Sequence, residues 1–136
     1  MTQEDKQLLL KDLCARLPYG VKVQHQHQDY LDEIQTIEHI SRQYGEIETE
    51  SVLGFVDDFK PYLRPMSSMT EDECITLSKL IPYETDAWKY IKTPIPLYIA
   101  NTEQFDFFHS HHLDWRGLIS KGLAIEVTED NNPYKE

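Results

Sequence analysis

The chain has 136 residues, within the roughly 100–200 usual for one domain, so one core is expected and a second is not. Its 40% apolar content, with eight Tyr, five Phe and two Trp, suffices for a packed interior that needs no metal or disulfide staple. Twenty-four acidic against thirteen basic residues set a net charge of −11, which repels phosphate backbones and argues against direct nucleic-acid binding. Lys60, Arg64, Lys89 and Lys92 are spread among acids and prolines and form no basic stripe.

Thr2 followed by Asp5 is a variant capping box, and Leu9, Leu10, Leu13, Cys14 and Leu17 recur at helical spacing until Pro18 and Gly20. A helix is expected over about 3–17. From Val21 the period changes toward two. Val21 and Val23 alternate with Lys22 and Gln24, and Ile34 to Ser41 alternates imperfectly. Gly45 marks a turn, Ile47, Thr49 and Ser51 alternate with acids, and Gly54 precedes Phe55, Val56 and Phe59. Residues 20–64 therefore read as three to five short antiparallel strands, with a further turn at Asp57-Asp58. They form either a curved open sheet or an SH3-like barrel, since closure removes exposed edges.

After Pro61 and Pro65, Thr70 and Glu73 form a complete T-x-x-E capping box for a helix carrying Cys74, Leu77, Leu80 and Ile81, stopped by Pro82. Residues 82–100 read as a proline-rich connector with a short helical turn at Trp88, Tyr90 and Ile91. Asn101 and Gln104 predict a helix through Phe105, Phe108 and His112, and Asp114 a last short helix through Leu118 and Ile119, ended by Gly122. Leu123, Ile125 and Val127 predict a final strand, and 128–136 a polar tail that frays. The fold class expected is α+β in a single domain. It comprises an N-terminal helix (1–18), a strand-rich unit (20–64), a helical part with the connector (70–127) and the tail.

Cys14 and Cys74 are far apart and flanked by aliphatic residues, which excludes a CxxC pair or a zinc knuckle and predicts two buried thiols. The first dozen residues lack the pattern of a signal peptide, and no stretch approaches the roughly 18 apolar residues that span a bilayer. A cytoplasmic protein with no membrane contact is the expectation.

Three words of the sequence are long and unusual. They run Leu13-Cys14-Ala15-Arg16-Leu17-Pro18-Tyr19-Gly20-Val21-Lys22, then Lys60-Pro61-Tyr62-Leu63-Arg64-Pro65-Met66-Ser67-Ser68-Met69-Thr70-Glu71, then His111-His112-Leu113-Asp114-Trp115-Arg116-Gly117-Leu118-Ile119 with Lys121-Gly122-Leu123-Ala124. Together they resemble a family of small uncharacterised proteins that recurs in gut bacteria and their phages and mobile elements. The resemblance covers about a third of the chain. It implies a bacterial cytoplasmic or phage-associated setting, and carries no ligand or catalytic residue onto these positions.

Among chemistry-bearing residues, His25 and His27 are two apart on a strand, and His109 and His112 three apart on a helix, with Asp106 one turn earlier. Each pair shares a face, as metal ligands must. The bland alternative is a polar hairpin end and a helix terminus, where His suits the negative dipole end. There is no G-x-S-x-G elbow or glycine-rich phosphate loop, and no catalytic residue or cofactor is assigned. Tyr62 and Arg64, stiffened by Pro61 and Pro65, and Trp115 with Arg116 have the composition of interface anchors. For Tyr62, which can close the sheet, and for Trp115, which can pack on the preceding helix and Leu118, the pattern favours the core. The function expected is non-enzymatic, a protein-interaction or accessory protein with a protein partner. The alternatives are a metal-dependent enzyme using the histidine pairs and an acidic mimic of nucleic acid.

Overall fold

A computed structural model describes residues 1–30, 33–41, 43–80 and 102–135. The connector expected over 82–100, its helical turn at Trp88 to Ile91, and the Asn101 cap lie outside the described residues. The first helix, α1, is Gln3–Arg16, and the Thr2 hydroxyl accepts from the Asp5 N–H while Asp5 reaches back to the Thr2 N–H. Both members of the predicted capping box are therefore engaged, satisfying two N–H groups that the first turn leaves open.

Strands β1 (Lys22–His25), β2 (Ile34–Ser41), β3 (Glu46–Thr49) and β4 (Leu53–Phe55) form an antiparallel meander, and β5 (Phe59–Leu63) returns to pair with β1. A single 3-10 turn, Val56–Asp58, joins β4 to β5. With the short β6 (Ile125–Glu126) added parallel to β5, the sheet has the order β4-β3-β2-β1-β5-β6 and is mixed and open. Of the two arrangements expected for 20–64, the open curved sheet is therefore the one adopted, and β4 is left at its edge.

The imperfect alternation of β2 has a structural cause. Its first half pairs with β1 and its second with β3, with a register shift between Ile37 and His39. The extra residue, Glu38, is a bulge, so Glu38 and His39 both face outward and the inward series passes from Gln35 and Ile37 to Ile40. One strand thereby serves both halves of the sheet and bends between them. Buried Gln35 is partnered by the Thr49 hydroxyl, which donates to its Oε1.

Leu9 and Leu13 of α1 pack on Val21, Val23, Ile37, Ile47, Phe59 and Leu63, and Leu118 and Leu123 close this first core. Helices α2 (Glu71–Ser78) and α3 (Thr102–Ser110) make a second with Met69, Cys74, Leu77, Phe107, Phe108 and Leu113. Each such fully buried side chain contributes roughly 1.5–3 kcal/mol relative to exposure. The Thr70–Glu73 box starts α2 as its spacing requires.

Two expectations need correction. Asp114 does cap, accepting from the N–H groups of Leu118 and Ile119 at 2.8 and 2.9 Å, but residues 114–122 are successive turns and not a helix. Gly117, at φ 77°, takes a left-handed conformation that no helix continues through. Cys74 is buried as expected, whereas Cys14 is half-buried. Residues 128–135, expected as a polar tail, are bonded to the sheet through the Tyr134 hydroxyl.

Candidate functional site

The histidine pairs fall in different surroundings. His25 is buried edge-on to Phe59 and Tyr30, and its Nδ1 accepts from the His27 N–H at 3.0 Å. His27 is exposed, with its Nδ1 accepting from the Asp29 N–H. His109 is buried at the end of α3, and its Nε2 accepts from the Trp115 indole N–H at 3.0 Å. His112 stacks on the Tyr134 ring at 3.5 Å and 8°. Burial, reinforced by the Arg16 charge, pushes the pKa of His109 and of His112 down to about 4, so both rings are neutral at pH 7. Among the described residues, no three of His, Cys, Asp and Glu are placed to hold a metal ion.

The four anchor candidates each make contacts within the fold. Tyr62 is 6% exposed, burial raises its pKa, and its carbonyl accepts from the Tyr134 hydroxyl. Arg64 forks onto Glu73 at 2.6 and 2.8 Å and donates to the Ser68 carbonyl, while its backbone N–H and C=O bond His112 and Asp114. Trp115 packs against Phe105 at 4.6 Å between ring centres, and the Arg116 guanidinium lies 4.0 Å over the indole. Arg64→Ala is therefore expected to cost about 2 kcal/mol, since it removes a bidentate pair and frees the capping carboxylate. Chemical denaturation measures it, and an unchanged midpoint would return Arg64 to the role of a surface anchor.

Asp12 and Arg16, which carry no motif in the sequence, join Arg116 in a polar seam between the two cores. Asp12 and Arg16, one turn apart on α1, are fully buried, and the Arg16 Nε donates to Asp12 Oδ2 at 2.7 Å. Arg16 Nη2 donates to the Leu113 carbonyl at 2.7 Å, and Arg116 Nε donates to the other oxygen of Asp12 at 3.0 Å. One carboxylate thus serves two guanidinium groups. Arg16 Nη1 and His112 Nδ1 are buried without a hydrogen-bond partner among the described residues. The signal was present in the spacing: the buried face of α1 is Leu9, Asp12, Leu13 and Arg16, an i, i+3, i+4, i+7 stripe in which two of four members are charged.

Among the described residues, the β4 edge is an open apolar surface. Leu53 is 63% and Phe55 54% exposed, and Tyr44, in the turn before β3, is 65% exposed. Leu53 and Phe55 stand opposite Glu48 and Glu46 of β3, so the apolar pair lies beside an acidic row on the outer face. An open groove of about 540 Å³ continues from Tyr44 and Phe55 between the sheet and α1, where Gln7 and Leu10 form the far wall and the Lys6–Asp57 ion pair, 3.3 Å apart, crosses it. Gly54 sits inward between them because a Cβ there would come within 3.0 Å of the Phe59 ring.

No protein-family model, curated protein or solved structure matches this chain. Among the described residues, no helix is long and apolar enough to cross a membrane.

Proposed function

We propose that this chain is a non-enzymatic interaction protein that adds an extended segment of a partner protein to its β4 edge. The observation that carries the reading is a sheet edge, unpaired among the described residues, that bears Leu53 and Phe55 with Tyr44 in the turn before β3, each more than half exposed. A strand edge supplies main-chain donors and acceptors, and side chains on one face supply selectivity. The acidic row of Glu46 and Glu48 beside Leu53 and Phe55 favours a segment that alternates apolar with Lys or Arg residues. A second copy is disfavoured as the occupant, because each chain carries a charge of −11. The setting we propose is cytoplasmic, as an accessory factor of a bacterial or phage element, which rests on the three sequence words quoted above.

A displayed library of extended peptides tests this. Enrichment of alternating apolar and basic sequences is expected, with binding that weakens as salt is added. Replacing both Leu53 and Phe55 with Glu should weaken the selected peptides about tenfold or more, the effect of losing an interface anchor, while the melting temperature changes little. A library that yields no consensus, or a consensus indifferent to both substitutions, refutes the reading.

A further inference from the structure

Tyr134 holds the segment 128–135 in an unusual way. In the β1–β5 ladder, Val23 faces Pro61 and Gln24 faces Lys60, so the same register brings Lys22 opposite Tyr62. The Tyr134 hydroxyl stands between these two, accepting from the Lys22 N–H at 2.9 Å and donating to the Tyr62 carbonyl at 2.8 Å. Its ring lies flat on His112, which is itself held at φ 60°, the left-handed region that residues other than glycine seldom occupy. Burial drives the Tyr134 pKa up, so the group bound is the neutral phenol.

The rest of the segment is bonded to itself and to the end of β6. Asn131 Oδ1 accepts from the backbone N–H and hydroxyl of Thr128, its Nδ2 donates to the Glu126 carbonyl, and Asn132 Oδ1 accepts from the Tyr134 N–H. Residues 128–131 are exposed. Among the described hydrogen bonds and ring contacts, those that tie the chain beyond Val127 to the remainder of the protein belong to Tyr134, apart from the Asn131 bond to the Glu126 carbonyl of β6. Next to the cleft is polar capacity that the segment leaves unused. Among the described residues, Arg16, fully buried on α1, has Nη1 without a partner while its Nη2 bonds the carbonyl of the residue after His112, and His112 Nδ1 is likewise unpaired.

We propose that the cleft between His112 and the Lys22–Tyr62 step of the sheet is a binding site for a phenolic group, filled here by Tyr134 as an intramolecular ligand that a phenol on another molecule replaces. The chemistry required is a flat ring to cover a neutral imidazole and one hydroxyl that both donates and accepts. An aromatic ring alone meets only the first requirement.

Tyr134→Ala empties the site, and p-cresol and toluene probe it, since they differ by the hydroxyl alone. With p-cresol, a saturable rise in the melting temperature of the variant and a return of the Lys22 amide resonance to its wild-type position are expected, and with toluene neither. Equal effects of the two compounds would mean an apolar hole and overturn the proposal, as would no effect of either. Should Tyr134→Ala not fold, the wild-type protein is titrated with p-cresol and with a peptide of residues 128–135. Saturable shifts of the Lys22 amide and the His112 ring support the site, and their absence from both titrations overturns it. Tighter competition by the peptide assigns the natural phenol to a tyrosine of a polypeptide, and tighter competition by p-cresol assigns it to a small molecule.

Discussion

Asp12→Ala is expected to be the most damaging single substitution in this protein, lowering its unfolding free energy by about 3–5 kcal/mol, the usual cost of breaking a buried ion pair from one side. The carboxylate is the acceptor for both the fully buried Arg16 and the mostly buried Arg116, so its removal leaves two guanidinium groups short of a partner. Burial already disfavours the charged form of Arg116, and Asp12 is the group that opposes this. Removing Arg16 at the same time should restore part of the loss, because Asp12→Leu combined with Arg16→Met replaces a desolvated pair with apolar volume. Urea denaturation of both variants measures the effects. A loss below about 1 kcal/mol for Asp12→Ala, the level of a surface ion pair, would show that the seam is wet and weak.

Stability should also fall steadily on acidification, starting well above the range in which carboxylates titrate. His109 and His112 have folded pKa values of about 4, below the ordinary 6.5, so below pH 6.5 the unfolded chain takes up protons that the folded one refuses. Their contribution is complete above pH 6.5 and is lost between 6.5 and 4, on the order of 2–3 kcal/mol for each ring. Glu73 follows at lower pH. The Arg64 hydrogen bonds hold its pKa at about 2, so its contribution is present above 4.5 and is lost as pH falls from 4.5 toward 2. Denaturation midpoints measured from pH 8 downward should therefore decline from near pH 6.5. His109→Gln, which retains an acceptor for the Trp115 indole, should flatten the upper part of that decline. A stability flat to pH 5 would contradict the burial of both rings.

What could be read from the sequence was what depends on neighbours in the chain. The Thr2 and Thr70 capping boxes, the end of α1 near Pro18 and the change of period at Val21 are set within a few residues, and each is found where the spacing puts it. Asp114 was legible as a cap and misleading as a helix start, because the acceptor geometry is local while Gly117 three residues later turns the chain aside. The seam is spaced as a helical face but does not show in a count of apolar positions. Counting apolar positions on α1 favours Leu9, Leu10, Leu13, Cys14 and Leu17, whereas the face that is buried also takes Asp12 and Arg16, whose partners lie near residue 115. Tyr62, Arg64, Trp115 and Arg116 have the composition of an exposed anchor, yet each has its partner inside the fold. The open apolar edge at Leu53 and Phe55 followed from strand order, which no local pattern encodes.

The seam and the Tyr134 anchor join positions 97, 104 and 112 residues apart in sequence. The meander, by contrast, is made of near neighbours, such as Lys22 with Thr36 and Glu46 with Phe55. During synthesis at about 5–20 residues per second, Asp12 and Arg16 wait roughly 5–20 s for residue 116 to be added. For that interval α1 can dock only its leucines, with two charges still seeking water, so the nascent chain holds at most β1 to β5 under a helix that is not yet locked. Such long-range closure slows folding relative to local pairing, and places the last cooperative step at the emergence of residues 113–134.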